Sequence, residues 1–186
     1  MDTTCAWAMN HELEREYHDK EWGVPVYDDK VLFEFITLEG AQAGLSWITI
    51  LKKREGYRQA FENYDLDKLA AYEDEHAEHI VENYDVVKHR GKIKSVFSNA
   101  RAVKALIEEY GSLSQALWQF VDGKPKVNQW QDMSEVPAST EQSKAMSKFL
   151  KKKGFKFVGE TICYAFMQAV GMVDDHMVSC PKKPKY

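Results

Sequence analysis

The chain has 186 residues, of which 44% are hydrophobic and 29% charged, and a net charge of −4. That length suits one domain with a real core, and no stretch nears the roughly 18 consecutive apolar residues of a membrane span. The acidic balance argues against strong non-specific attraction to nucleic acid but leaves room for local basic patches. Three cysteines, odd in number and far apart, argue against a disulfide framework. With no basic and apolar leader at the start, a reducing cytoplasm is the expected setting.

In chain order, Asn10 is a candidate cap for a helix over 11–20, ended by Trp22-Gly23-Val24-Pro25. Asp28 caps a second helix, 28–39, with Leu32, Phe35 and Ile36 on one face. Ser46 caps a third, 47–61, with an exposed basic turn at Lys52-Lys53-Arg54. Asp65 opens a short helix, 66–72, and 73–82 reads as another. Residues 89–110 form the longest periodic run, stopped by Gly111, and 112–121 form a helix ended by Asp122-Gly123. Residues 123–138 hold two prolines and read as a surface loop. A helix over 139–153 ends at Gly154, and 160–171 is the last. No strand alternation and no internal repeat is evident. The expected fold is all-α, a compact multi-helix single domain over 1–186. No long heptad run is present, which favours a monomer.

Three features carry chemistry. Glu39 lies seven, four and three residues after Leu32, Phe35 and Ile36, so on a 3.6-residue period it shares their apolar face. A buried carboxylate costs several kcal/mol unless something pairs with it. The pattern equally allows the helix to end at Gly40 with Glu39 in water. Second, residues 151–161 join two helices through a glycine-bounded turn, and the second helix starts just after Gly159. Its free N–H groups suit a phosphate oxygen, with Lys156 and its neighbours adding charge. An ordinary turn with lysines in water is the alternative. Third, Cys5 and His18 near the start, with His176 and Cys180 near the end, make a full tetrahedral zinc set with no open position. The alternative is a free Cys5, a surface His18 and a disordered tail. Cys163 lies in an apolar helix and reads as a packed small hydrophobe. His11, His76, His79 and His89 read as surface residues.

Together these pieces resemble bacterial 3-methyladenine DNA glycosylase I, of the helix-hairpin-helix superfamily. The likeness is carried by Cys5-Ala6-Trp7, by Tyr17-His18-Asp19 with Glu21-Trp22-Gly23-Val24-Pro25, and by Leu38-Glu39-Gly40 leading into Ala43-Gly44-Leu45-Ser46-Trp47. His89-Arg90-Gly91-Lys92-Ile93, Gly154-Phe155-Lys156-Phe157-Val158-Gly159, and His176 with Cys180 continue it in order. The resemblance implies a helix-hairpin-helix at about 139–171 and excision of N3-methyladenine from alkylated double-stranded DNA. It also implies one structural zinc on Cys5, His18, His176 and Cys180, joining the metal-binding ends 5–18 and 176–180. Glu39 would be the pocket carboxylate and catalytic residue. Tyr17 and Trp47 would wall the base, with Trp7 and Trp22 lining or supporting the pocket. Gly44 would lie near the gap left by the flipped base, with Lys156, Gly159 and Thr161 on the DNA.

Superfamily members that also cut the strand carry Lys where this chain has Thr161, so a monofunctional enzyme with no lyase activity is expected. Glu14 departs from the aromatic residue common in relatives one turn before Tyr17. Asp174 and Asp175 are candidates for the Asp that many superfamily members use beyond the hairpin, but Asp175 precedes His176, which suits a capping or metal-supporting role. The competing readings are a non-enzymatic DNA-binding module, a metal-dependent small-molecule enzyme, and a glycosylase with altered lesion specificity.

Overall fold

The helix over Asp29–Gln42, which we label α2, is the axis of the molecule. In the computed structural model, which describes residues 1–185, every residue from Leu32 to Ala41 is buried. A helix apolar nearly all round is a core helix, so α2 is wrapped on every side rather than on the one face expected. Asp28 caps it by accepting from Val31 N. Gly40 does not end it. The hairpin residue Phe157 lies where a Cβ on Gly40 would meet its Cβ and carbonyl at 3.3 Å, so the glycine serves a close approach of two segments.

Around α2 stand α1 (Glu12–Lys20), α3 (Trp47–Lys52), α4 (Arg54–Ala60), α5 (Leu66–Ala70), α6 (His76–Asn83), α7 (Arg90–Tyr110), α8 (Leu113–Trp118), α9 (Glu141–Lys152) and α10 (Glu160–Ala169). The fold is predominantly helical, as expected. Helices α2, α7, α8, α9 and α10 pack on one another, and α5 and α6 lie on α7.

Several expectations need correction. The N-cap of α1 is His11, whose ring accepts from Leu13 N, and not Asn10. His89 likewise caps α7 by accepting from Lys92 N. The expected third helix breaks at Lys53 into α3 and α4. The turn there is not a free basic patch: Lys53 pairs with Asp85 at 2.8 Å, and Arg54 forms a fork on Glu21 at 2.7 Å to each oxygen. The loop over 123–138 is not wholly irregular. Its Lys126–Val127 (β1) pairs in parallel with Val173–Asp174 (β2), Lys126 opposite Val173 and Val127 opposite Asp174. Strands of two residues are too short to leave an alternating pattern. The C-terminal tail is not loose either, because Lys183 reaches inward to Asn128 O, Asp174 Oδ1 (3.3 Å) and His176 O (3.2 Å).

Candidate active site

Two buried glutamates on α2 differ in one respect. Glu34 has partners: Arg58 Nε donates at 2.8 Å and Arg54 approaches at 3.4 Å. Glu39 is 4% exposed, and among the described residues no donor reaches its carboxylate. Burial alone pushes its pKa up from 4.5 to about 8. Burial thus favours the neutral acid, and a donor or a positive charge brought beside it would favour the carboxylate.

The cleft in front of Glu39 has a volume of about 280 Å³, which suits a single flat ring system rather than an extended ligand. Tyr17 and Trp47 stand on one side, ring centroids 5.4 Å apart and tilted by 52°. Tyr17 rests on Phe35 at 6.2 Å. Trp7 meets Trp22 edge-on at 5.1 Å. The Tyr17 hydroxyl and the Trp47 indole N–H are both buried and have no hydrogen-bond partner among the described residues. Buried polar atoms are nearly always paired, so two orphans beside an unpaired carboxylate mark a place for polar ligand atoms.

The sequence pointed to Glu39, Tyr17, Trp47, Trp7 and Trp22, and all five line this cleft. Glu14, the departure noted in the sequence, lines it too and is half-buried. Gln42 was missed, although it follows Glu39 by three residues and so shares its face. Met133 and Val136 were also missed. They come from the loop over 123–138, which closes over the cleft instead of running free. Asp175 faces the cleft as well. Its carboxylate accepts from Asn128 Nδ2 (2.8 Å), Trp130 Nε1 (2.8 Å), Tyr164 OH (2.5 Å) and Gln168 Nε2 (2.9 Å). Asp174, and not Asp175, is the residue that supports His176, accepting from its backbone N at 3.2 Å and lying 2.9 Å from Nδ1.

A second groove, about 270 Å³, runs from Glu39 and Gln42 past Gly44 and Leu45 to Thr161 at the start of α10. It brings Gly44 and Thr161 to one wall. Gly44 has φ +80°, and Leu45 beside it is 41% exposed. Lys156 is exposed on the hairpin between α9 and α10, outside that groove. At Gly159, φ is −60° and, among the described residues, nothing beyond its immediate chain neighbours lies within 4 Å of where a Cβ would sit. The chain's own packing does not call for a glycine there. Lys153 pairs with Glu109 at 2.8 Å. A wider concavity of about 820 Å³ opens elsewhere, but Asp28, Glu62, Asp65 and Glu108 line it and oppose an anionic ligand.

Behind Trp7 and Trp22 lie the four candidate metal ligands. The ligand atoms of Cys5, His18 and Cys180 sit within 4.8 Å of one another, all buried. His18 Nδ1 is held 2.8 Å from Asp19 Oδ1, which turns Nε2 towards Cys180 Sγ at 3.5 Å. The His176 ring stands perpendicular to that of His18 at 4.9 Å, and its Nε2 is buried with no partner. His176 and Cys180 lie on a turn, not on one helix face as the spacing allowed. Both imidazoles thus have Nδ1 held by a carboxylate, which leaves Nε2 as the candidate ligand atom, the usual preparation of a metal-binding histidine. Cys163 is buried apart from this cluster, its thiol pushed up to about 12 by burial, as a packed residue should be.

Residues 7–183 match the model of the methyladenine glycosylase family. The chain belongs to that family. It is 51% identical over 176 residues to DNA-3-methyladenine glycosylase 1 of Escherichia coli, covering 95% of this chain and 94% of the relative. It superposes on a crystal structure of 3-methyladenine DNA glycosylase I with a TM-score of 0.93 and 49% identity, over 97% of this chain and 100% of that one. On the 3-methyladenine DNA glycosylase I of Staphylococcus aureus the TM-score is 0.95 with 37% identity, over 98% and 97%. Among methyladenine glycosylases, then, this chain aligns over nearly its whole length, and the matched span takes in the whole cleft and, of the cysteine-histidine cluster, every residue but Cys5.

Proposed function

We propose that the cleft is the base pocket of a monofunctional DNA glycosylase that excises N3-methyladenine from alkylated double-stranded DNA and leaves an intact abasic site. The observation that carries this reading is the convergence of unmet groups: the carboxyl of Glu39, the hydroxyl of Tyr17 and the indole N–H of Trp47 on a cleft the size of one base. The relatives named for DNA-3-methyladenine glycosylase activity support it.

A base within a duplex is out of reach, so it must be flipped at a cost of a few kcal/mol. N3-methyladenine in DNA is cationic. Tyr17 and Trp47 attract it by stacking and by their quadrupoles, roughly 1–3 kcal/mol per stacked base. The positive charge of the base favours loss of the Glu39 proton to water as the base enters, and the carboxylate then accepts from the exocyclic amine. Unmodified adenine brings no charge and leaves Glu39 protonated, and this separates the two bases. The glycosidic bond to a cationic base is already weak, so the remaining task is to place water and to stabilise positive charge growing on the sugar. Glu39 serves both, and Asp175, fixed by four donors, adds a negative field at the cleft wall.

The α9–α10 hairpin acts as a helix-hairpin-helix clamp. The open space above Gly159 and the first N–H groups of α10 receive a phosphate, Lys156 adds charge, and Thr161 takes the place where a Schiff-base lysine would stand. Gly44 and the exposed Leu45 face the space left in the stack. Cys5, His18, His176 and Cys180 hold one structural zinc, which supplies a cross-link between the chain ends and takes no part in the reaction. The enzyme works as a monomeric single domain over 1–186, in the cytoplasm. None of its described helices is long and apolar enough to cross a membrane.

The test is release of base from methylated duplex DNA by wild type, Trp47→Ala and Glu39→Gln, resolving 3-methyladenine from 7-methylguanine. Selective 3-methyladenine release that drops about a hundredfold in both variants is expected. Tight DNA binding without release would instead favour a binding module.

A further inference from the structure

Helix α7 stays outside the base cleft, yet two of its side chains reach the two segments set against DNA. Lys92 Nζ donates to Ala41 O at 3.0 Å, in the last turn of α2, and to Ala43 O at 2.7 Å, at its C-cap, and Gly44 is the next residue. Asn99 holds the hairpin at one residue from both sides: Lys156 N donates to Asn99 Oδ1 at 2.9 Å, and Asn99 Nδ2 donates to Lys156 O at 3.2 Å. Lys92 and Asn99 are seven residues apart, two turns along one face of α7. Between them, Gly40 of α2 touches Phe157 of the hairpin, and Phe157 has φ +58°, a left-handed conformation that a bulky residue keeps only when its surroundings fix it.

We propose that Lys92 and Asn99 are positioning residues, by which one face of α7 fixes the α2–α3 loop relative to the α9–α10 hairpin, so that both meet the duplex in register. This rests on the glycosylase reading of the cleft. Lys92 is half-buried and both its short bonds point into the protein, so its charge compensates the C-terminal end of α2 rather than a phosphate. Glu39, Tyr17 and Trp47 are carried on α2, α1 and α3, and Lys92 is not among the residues that line their cleft.

The experiment compares wild type, Lys92→Met, Lys92→Arg and Asn99→Ala in three measurements. These are single-turnover release of 3-methyladenine from duplex DNA, affinity for free 3-methyladenine, and the salt dependence of binding to a duplex with an abasic-site analogue. Lys92→Met and Asn99→Ala lose about tenfold or more in release from duplex, the scale of one charge-assisted hydrogen-bond pair. Free-base affinity stays within about twofold, the span of a distant surface change. Lys92→Arg, which keeps charge and donors, recovers most of the loss, and the salt slope of Lys92→Met matches wild type.

Unchanged release by Lys92→Met overturns the inference, as does a parallel loss of free-base affinity. A salt slope shallower by about 0.9 would make Lys92 a phosphate contact instead. Should Lys92→Met fail to fold, Lys92→Gln, with one donor group left, must still lose part of the release from duplex, and unchanged release by it overturns the inference. A wild type that releases no base would sink the glycosylase reading itself, whereas an active wild type with unaffected variants sinks only the brace.

Discussion

At the residue scale, Glu34 and Glu39 are the informative pair. Both are buried on α2, but Arg54 and Arg58 neutralise one, and the other is left to be neutralised by a proton or by a ligand. In the unfolded chain Glu39 ionises near its usual 4.5, and in the fold near 8. Between those pH values the unfolded state gives up a proton that the folded state keeps. Glu39 therefore adds stability fully below about pH 4.5, and that contribution is lost as pH rises through 8. Glu39→Gln has no such window. Its stability relative to wild type should rise by at most about 1.4 kcal/mol per pH unit across the window and then level off. Urea melts at pH 5, 6.5 and 8 would read this directly, and a difference constant with pH would mean that Glu39 is charged in the fold. Release of base at low DNA concentration should climb towards pH 8 in wild type and lose that limb in the variant. The carboxylate on an apolar face was legible in the sequence. Its lack of a partner was not, because the arginines that pair with Glu34 come from α4, more than one helix away.

At the element scale, the hairpin separates what the fold needs from what DNA needs. Gly154 has φ +94°, whereas Gly159 is at φ −60° with open space above it. Gly154→Ala should lower stability by about 1 kcal/mol or more, since an L-residue resists the left-handed conformation. Gly159→Ala should leave stability within about 0.5 kcal/mol of wild type. It should nevertheless weaken binding to duplex DNA severalfold, because the new methyl occupies the approach of a phosphate. Thermal melts beside DNA titrations decide it: a marked loss of stability in Gly159→Ala would mean that the glycine serves the chain itself. The glycine boundaries and the helices on either side could be read from sequence, because caps and glycines are local signals. The break between α3 and α4 could not, since what fixes Arg54 is Glu21, thirty-three residues back along the chain. Nor could the clasp of Asn99 on Lys156, fifty-seven residues away.

At the scale of the whole molecule, the two ends of the chain meet behind the cleft proposed as the base pocket. Trp22 packs edge-on against His176 at 4.8 Å and Trp7 against His18 at 5.4 Å, so the cysteine-histidine cluster is also the backing of the aromatic wall. Cysteine and histidine identities hinted at this, but spacing alone did not, because the residues are brought together by the α1 turn, the paired β1 and β2, and Lys183. With zinc bound, the cluster closes a loop that spans nearly the whole sequence and stabilises the fold by constraining the unfolded chain and by ligation itself. Without it, the Nε2 of His176 stays buried and unpaired, and the Cys5 thiol, pushed up to about 12 by burial, remains protonated. Removal of the metal by a chelator under mild denaturant should therefore release about one zinc per chain and lower Tm by roughly 10 °C, the equivalent of a few kcal/mol in a domain of this size. Because Trp7 and Trp22 lean on the histidines, affinity for free 3-methyladenine should weaken together with Tm, and added zinc should restore both. Metal analysis alongside calorimetry reads the result. A chain that gives up its zinc stoichiometrically and melts at the same temperature would mean that the ends are held by Lys183, β1 and β2 alone.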